Sequence, residues 1–292
     1  MKVLGSKYNF LGLSKEHSDN KNSKIVILQA PFEKTPHIGN GTGKAPKEII
    51  AASHKLEYFD EEQNRELCFE KGICSLEPLN FENSSSAKSL EKIYKEIAKL
   101  LEDDKFIVTI GGEQRISLST IKAHHEKYSD LNVIHFSAHS FLEGGEKNND
   151  LTIAQVSEFN KNIIQIGVRS QSAEGNKFRC QKGIRTFFAR EIKMGMYGEH
   201  WQEIIAKSTG ENIFISFNVD VFDSSFMPAV NNPEPGGLFW DETMNLLKII
   251  GMDKNIVGFE IVGLVPSKNY SSSNYTTAKL VYKILNYAFI ER

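Results

Sequence analysis

Three polar side chains follow the apolar stretch at residues 213–217, within the sequence NIFISFNVDVFD. The apolar stretch is rich in β-formers, as in a strand that is buried on both faces. Asn218 and Asp220 lie two residues apart, so on an extended chain they point to the same side, and Asp223 comes one turn later. Ligand sites of open α/β proteins lie at the carboxyl ends of such strands. The stretch therefore indicates a candidate site, although a strand that runs into a turn rich in Asn and Asp would show the same pattern.

Two further apolar segments end in polar residues in the same way. Residues 111–117 read GGEQRIS, and residues 135–141 read HFSAHSF. The side chains that could act at these strand ends are Glu113, Gln114, Arg115, Ser137 and His139. Three strand ends of one type favour a shared site over an isolated turn.

Strands and helices alternate along the chain, which positions these strand ends on one sheet. We predict strands at 24–29, 106–110, 132–136, 162–168, 184–188, 213–217 and 256–262. We predict helices at 47–58, 87–101, 116–125, 199–207, 241–250 and 276–290, whereas residues 60–83 show no clear periodicity. The alternation predicts an α/β fold, with a parallel sheet that is covered by helices on both faces.

No repeat, low-complexity region or linker divides the chain. We therefore predict a single domain over residues 1–292, with residues 1–23 as an exposed N-terminal lead-in. The long loop at 31–47, rich in Gly and Pro, is a candidate binding loop.

Composition excludes several classes of function. The net charge of −2 argues against a nucleic-acid or anionic-membrane partner. Cys68, Cys74 and Cys180 lack metal-ligand spacing and form no disulfide framework, which is typical of reduced thiols. The first 24 residues hold no apolar core of a signal peptide, and no stretch approaches the length of a membrane span. We expect a cytoplasmic protein.

The order and the residues of these motifs resemble those of the arginase and agmatinase family of ureohydrolases. The three strand ends occur in the family's order, together with PEPGGL at 233–238, IGVRS at 166–170 and VGFEIVGLVP at 257–266. Residues 39–53, GNGTGKAPKEIIAAS, resemble the family's N-terminal substrate loop. The resemblance implies a three-layer αβα fold around a mostly parallel sheet of about eight strands, assembled as homotrimers or homohexamers. It also implies a pair of manganese ions that activate a hydroxide to attack a guanidinium carbon.

The resemblance also places the metal ligands. The family's first motif supplies a histidine at the position of Gln114, and its second supplies Asp, His and Asp at the positions of Ser137, His139 and Phe141. The third supplies aspartates at the positions of Asn218 and Asp220. His139 and Asp220 are thus the residual ligand positions. Neutral amide and hydroxyl oxygens are weak ligands for a transition metal, so we expect no tight dinuclear site and no cofactor.

The residues that would recognise the substrate differ as well. Ile153 stands where agmatinases carry a histidine, and Gly263 stands where the family's glutamate meets the guanidinium. Without that carboxylate, the guanidinium loses its charge-assisted partner. Gln114, Ser137, Phe141, Ile153, Asn218 and Gly263 would then line the remaining substrate pocket.

The remaining polar residues allow more than one interpretation. His139 is either a metal ligand or an interior histidine that is hydrogen-bonded to Asp220 or Ser137. Glu113 and Arg115 form either an ion pair at a helix start or, through Arg115, an anion-binding site.

Three hypotheses follow from these residues. The first is a ureohydrolase-like protein without ureohydrolase activity, a pseudoenzyme that binds a small-molecule ligand or regulates an active homologue in a shared oligomer. The second is an active metal-dependent hydrolase of linear amidines, in which manganese is held by an unusual or mononuclear site. The third is a metal-free enzyme of new specificity, with His139, Glu113 or Arg115 as the acid–base group. Bound metal would distinguish the second from the other two.

Overall fold

The computed structural model describes residues 1–34, 40–142 and 151–291. Its eight strands are β1 Ile25–Ala30, β2 Ile73–Ser75, β3 Phe106–Gly111, β4 Asn132–Phe136, β5 Ile163–Val168, β6 Arg185–Phe188, β7 Asn212–Asn218 and β8 Asn255–Val262. They form one sheet in the order β2-β1-β3-β8-β7-β4-β5-β6, and every neighbouring pair is parallel. The predicted α/β fold with a parallel sheet is confirmed.

Helices cover both faces of this sheet. They are α1 Lys15–Ser18, α2 Ala45–Ser53, α3 Leu67–Lys71, α4 Ser86–Glu102, α5 Ser117–Lys127, α6 Thr152–Val156, α7 Ala173–Lys182, α8 Ala189–Lys193, α9 Trp201–Lys207, α10 Trp240–Asp253 and α11 Ser271–Ala288. Helices α4, α5 and α6 pack together, and α2, α9, α10 and α11 pack together, which gives three layers. Within the described ranges, no helix combines the length and apolar character that crossing a bilayer requires.

Strand β1 shows why the sheet is buried on both sides. Ile25 and Ile27 belong to the apolar cluster beneath α2, α10 and α11, whereas Val26 and Leu28 belong to the cluster beneath α4. Alternate side chains of a strand point to opposite faces, so a strand that is covered on both faces has apolar side chains on both of them.

The N-terminal segment is not the exposed lead-in that the sequence led us to expect. Asn9, Phe10, Leu11 and Leu13 are buried. The backbone N–H of Leu4 donates to the carbonyl of Ser75 over 2.9 Å, on the outer side of β2. Strand β2 lies at the edge of the sheet, where unpaired backbone groups need a partner, and the N-terminal segment supplies it.

Other differences concern short or polar elements. Residues 60–83, which show no periodicity, contain α3 and β2. Helix α2 runs from Ala45 to Ser53, with Pro46 in its first turn, so it begins and ends before the predicted 47–58. Residues 35–39 of the predicted binding loop lie outside the described residues.

Candidate functional site

The four central strands β3, β8, β7 and β4 carry the predicted strand-end residues at their carboxyl ends. Gln114 follows β3, Ser137 and His139 follow β4, and Asn218 ends β7. Because the strands are parallel neighbours, their ends meet at one edge, as predicted for a shared site. All four of these residues are buried.

Asp220 is a buried carboxylate with one satisfied and one unsatisfied oxygen. Its Oδ1 accepts hydrogen bonds from Ser137 Oγ at 2.9 Å and from the backbone N–H of Ala138 at 3.0 Å. Its Oδ2 accepts no hydrogen bond from any described residue and lies 3.9 Å from His139 Nε2. Burial disfavours the charged form and so raises the pKa of Asp220 above its ordinary value.

His139 is an interior residue, but its ring bonds to neither of the expected partners. Its Nε2 lies 3.3 Å from the carbonyl oxygen of Asn232, which can only accept, so Nε2 carries the proton. The separation of 3.9 Å from Asp220 is too long for a hydrogen bond. Ser137 instead accepts a hydrogen bond from the His139 backbone N–H, at 3.0 Å.

Gln114 and Asn218 are bonded to each other. Asn218 Nδ2 donates to Gln114 Oε1 over 3.1 Å, and Asn218 Oδ1 accepts from the backbone N–H of Asp220 at 3.1 Å. Gln114 Nε2 donates to Ser117 Oγ at 2.6 Å and to Ser216 Oγ at 3.2 Å. Both amide oxygens that could face a metal ion are therefore already used as acceptors within the protein.

Glu260, in strand β8, completes this network and was missed by the sequence reasoning. Its carboxyl group is fully buried and accepts hydrogen bonds from Ser117 Oγ, from Thr120 Oγ1 at 2.7 Å and from Ser216 Oγ at 2.7 Å. Burial raises the pKa of Glu260 to about 7, against the opposing effect of the three hydroxyl donors. The available signal was one charged residue within an otherwise apolar buried strand.

His135 lies on the other side of Ser216, whose Oγ is 3.3 Å from His135 Nδ1. Its Nε2 has no hydrogen-bond partner among the described residues. Burial lowers the pKa of His135 to about 3, so the imidazole is neutral at pH 7. It is a packed strand residue, and its ring contacts Phe141 at a centroid distance of 5.8 Å.

Apolar side chains occupy the region beside the two histidines. Phe141 is 2% exposed and also contacts the His139 ring, at a centroid distance of 6.0 Å. Its φ of 51° is unusual for a bulky residue and is a conformation that surrounding contacts must hold. The backbone N–H of Ile153 donates to the Phe141 carbonyl at 3.1 Å, and both side chains belong to one apolar cluster. The structure thus brings the two predicted pocket residues together.

Gly263 lies against Asn218. A Cβ atom at position 263 would overlap the Asn218 Oδ1 atom, and the φ of Gly263 is +86°. Any side chain at position 263 would therefore displace Asn218 from its bond to Gln114.

Glu113 and Arg115 do not form the ion pair that was the preferred expectation. The Glu113 carboxylate accepts a hydrogen bond from the backbone N–H of Lys34, and no contact within 4.0 Å joins it to Arg115. The two residues flank Gln114 on the short turn that follows β3.

Two charged residues support the turn after β7. Arg169 donates hydrogen bonds to the carbonyls of Asp220, Phe222 and Glu234 at 2.8–3.1 Å. Asp223 accepts from the backbone of Gly236 at 2.7 Å, and such donors hold its pKa at about 2 although burial opposes them. Asp223 is therefore a turn-making group.

The described residues contain no group of three or more His, Cys, Asp or Glu side chains that could hold a metal ion. Asp220 and Glu260 are the carboxylates that this hydrogen-bond network joins, through neutral amides and hydroxyls. This arrangement can hold a buried hydrogen-bond network and a proton on Glu260.

Comparison with known proteins agrees with the fold and with the motif order. The model of the arginase family matches residues 23–290. An N(1)-aminopropylagmatine ureohydrolase from Synechocystis sp. is 32% identical over 273 residues, which cover 90% of this chain and 88% of that protein. An agmatinase from Bacillus cereus is 29% identical over 287 residues, which cover 93% of this chain and 94% of that protein. The crystal structure of agmatine ureohydrolase from Thermoplasma volcanium shares the fold, with a TM-score of 0.81 at 20% identity, over 99% of this chain and 94% of that one. This chain belongs to the arginase family.

Proposed function

We propose that this protein is an arginase-family member without ureohydrolase activity, which acts as a binding or regulatory protein. The observation that carries the proposal is the hydrogen-bonded pair of Gln114 and Asn218. Both amides stand at positions that the motif resemblance assigns to metal ligands. Asn218 Nδ2 donates to Gln114 Oε1, and Asn218 Oδ1 accepts from the backbone N–H of Asp220.

The donor set does not suit two manganese ions. Two divalent ions bring four positive charges into one pocket and need anionic oxygen ligands to balance them. Among the positions that the resemblance assigns to ligands, Asp220 alone is a carboxylate, and burial raises its pKa. Phe141 offers no ligand atom, and its ring lies against His139. We derive no catalytic step through a dinuclear centre in this chain.

The residues at the two positions that would recognise the substrate support the same proposal. A guanidinium presents five N–H donors and is bound by carboxylates and carbonyls that are arranged to accept them. Ile153 is fully buried and apolar, and Gly263 has no side chain. Neither position can contribute an acceptor from its side chain to a guanidinium.

One observation favours the metal-dependent alternative. Asp220 Oδ2 is buried and accepts no hydrogen bond from the described residues, as is expected of a carboxylate oxygen that binds a cation. His139 Nε2 is 3.9 Å away, but that nitrogen donates to the Asn232 carbonyl, so it would have to lose its proton before it could ligate. A single manganese ion held by these two residues is the alternative that the test has to distinguish.

The test is metal content and urea release measured on the same sample. The protein is incubated with manganese, passed through gel filtration and submitted to elemental analysis, with an active agmatinase treated identically as control. Agmatine, arginine and N(1)-aminopropylagmatine are then supplied as substrates. We expect metal near zero per chain and no urea, whereas close to one or two manganese ions with urea production would overturn the proposal.

A matched variant separates this site from a contaminating enzyme. Asp220→Asn removes the one carboxylate among the proposed ligand positions and keeps the shape of the side chain. If wild-type samples release urea at a rate that Asp220→Asn leaves unchanged, the activity belongs to another protein. If Asp220→Asn abolishes it, this chain is an active hydrolase.

For the partner, we propose a homo-oligomer of the kind that the family resemblance implies, or a mixed oligomer with an active homologue. Met194 and Met196 are 62% and 64% exposed and line one open cavity with Phe188 and Val168. Large exposed apolar patches mark interaction surfaces on otherwise polar proteins. We call these two methionines the methionine surface.

A further inference from the structure

A cavity of about 540 Å³ lies between the N-terminal segment and helix α2, away from the strand-end site. Its apolar walls are formed by Leu4, Tyr8, Ile50, Ala51 and Pro78. The volume falls within the range of about 300 to 1,000 Å³ that is usual for small-molecule sites. The N-terminal segment therefore contributes one wall of a cavity that is large enough for a ligand.

Gln29, near the end of β1, provides a fixed acceptor in this cavity. It is 2% exposed, and its Nε2 donates to the Leu76 carbonyl at 2.7 Å. Because a carbonyl can only accept, this bond fixes the orientation of the amide and leaves Oε1 as the other polar atom. Oε1 accepts no hydrogen bond from the described residues that surround it. An amide oxygen that the surrounding side chains leave unused on the wall of a cavity favours a ligand that brings a donor.

The mouth of the cavity carries positive charge. Lys7 and Lys47 line it and are exposed, and no ion pair within the described part of the chain engages either of them. No Asp or Glu is among the residues that line the cavity. His54 also lines it, and its Nε2 donates to the Asn9 carbonyl at 2.8 Å, so Nδ1 is the nitrogen left for a ligand. Two unopposed ammonium groups favour an anionic ligand over a cationic one.

We propose that this cavity binds a small apolar carboxylate that carries a hydroxyl or N–H donor at its far end. The donor meets Gln29 Oε1, the apolar body lies against Ile50 and Leu4, and the carboxylate lies near Lys7 and Lys47. A cationic amine of similar size would be repelled at the mouth. The proposal does not depend on whether the strand-end site is active.

The test is titration calorimetry on the full chain with three related probes. The probes are 4-hydroxyphenylacetate, phenylacetate, which lacks the hydroxyl donor, and tyramine, which replaces the carboxylate by an ammonium. We expect saturable one-to-one binding of 4-hydroxyphenylacetate, binding of phenylacetate weaker by about two- to tenfold, since a neutral hydrogen bond is lost, and no binding of tyramine. Absence of saturable binding by either acid, or equal binding of tyramine, would overturn the proposal.

Variants then locate the binding. Ala51→Trp fills the cavity and is expected to abolish binding of 4-hydroxyphenylacetate. The double variant Lys7→Ala, Lys47→Ala should weaken it by about two- to tenfold or more, because exposed ion pairs contribute little each. Lys99→Ala, an exposed lysine on α4 outside this cavity, is the matched control and should bind as wild type does. Circular dichroism verifies that each variant is folded, and unchanged binding by folded Ala51→Trp would exclude this cavity as the site.

Discussion

Asn218 and Gly263 occupy one small volume at the ends of neighbouring strands, and this makes position 263 sensitive to any side chain. Gly263→Ala would place its Cβ on Asn218 Oδ1 and force a φ of +86° on a residue with a Cβ. We expect the free energy of unfolding to fall by about 3 kcal/mol, since overpacking and left-handed strain act together. Chemical denaturation measures the change.

Gly236→Ala is the matched control for the strain alone. Gly236 has a φ of +81°, but nothing lies within 4 Å of the position of its Cβ. We expect it to cost about 1 kcal/mol, as backbone strain without overlap. A loss for Gly263→Ala no larger than this would show that Asn218 moves aside freely, whereas partial rescue of Gly263→Ala by Asn218→Ala would verify the overlap.

Glu260 is expected to make stability depend on pH between its two pKa values. The folded protein holds the Glu260 proton more tightly than the unfolded chain, because burial raises the pKa from 4.5 to about 7. Its contribution to stability is therefore full below about pH 4.5 and is lost as the pH rises through about 7. The loss is on the order of 3 kcal/mol.

Comparison with Glu260→Gln isolates this contribution from that of all other groups. We expect the unfolding free energy of wild type, minus that of Glu260→Gln, to fall as the pH rises from about 4 to about 8. Glu102→Gln, at the exposed end of α4, should show no such trend. A difference that is constant or rises with pH would mean that the three hydroxyl donors stabilise a charged carboxylate.

At the scale of elements, Arg169 links the end of β5 to the turn after β7 and to residues 234–235. Its guanidinium donates to the carbonyls of Gly167, Val221 and Pro235, besides those named above. A lysine ammonium is a compact charge with three donors and cannot span these acceptors. We expect Arg169→Lys to destabilise the protein by on the order of 3 kcal/mol, as buried carbonyls lose their donors.

Proteolysis and denaturation together test this link. Arg169→Lys should also speed cleavage within residues 219–236, because the turn after β7 loses its anchor. Arg179→Lys is the control, since Arg179 bonds to Asn176 on the same helix at the surface, and it should change stability by less than about 0.5 kcal/mol. Equal stability of the two variants would contradict the anchoring role.

The long apolar strands were predicted to within a residue or two, because burial on both faces requires a continuous apolar run. Strand β2 was missed because Ile73–Ser75 is too short to show a pattern. Helix α7 was missed because its sequence, AEGNKFRCQK, buries little more than Gly175 and so has no apolar stripe. A helix is recognised in a sequence by the apolar stripe on its buried face. Helix α7 lies almost wholly outside the core and therefore has no such stripe.

The position of the candidate site could be predicted from the sequence, but the hydrogen bonds between its side chains could not. The three motif ends indicated which residues would meet, and the parallel sheet brings them to one edge. The bond between Gln114 and Asn218 could not be predicted, because it depends on side-chain orientations across two strands that are far apart in sequence. Glu260 was missed for the same reason, since its partners Ser117 and Ser216 come from different elements.

At the scale of the whole molecule, the methionine surface predicts assembly. Met194 and Met196 follow α8 and are exposed. We expect wild type to elute as an oligomer and the double variant Met194→Glu, Met196→Glu to shift towards the monomer, because charges desolvated at an interface are costly. Light scattering coupled to gel filtration gives the mass.

Met252→Glu is the control for adding charge at an exposed methionine. Met252 is 53% exposed on helix α10 and does not line the cavity beside Met194. It should leave the oligomeric mass unchanged. A monomeric wild type, or an oligomer that survives the double variant, would exclude the methionine surface as the interface.

The overlap between Asn218 and position 263 also limits which substitutions the fold tolerates at these two positions. The family resemblance places a glutamate at position 263. Gly263→Glu does not fit while Asn218 keeps its present position, since the new Cβ would meet Asn218 Oδ1. Changing Asn218 first removes the donor that satisfies the buried Gln114 Oε1. We therefore expect each of these single substitutions to lower the free energy of unfolding. Their effects should not be additive, because the two positions are in contact.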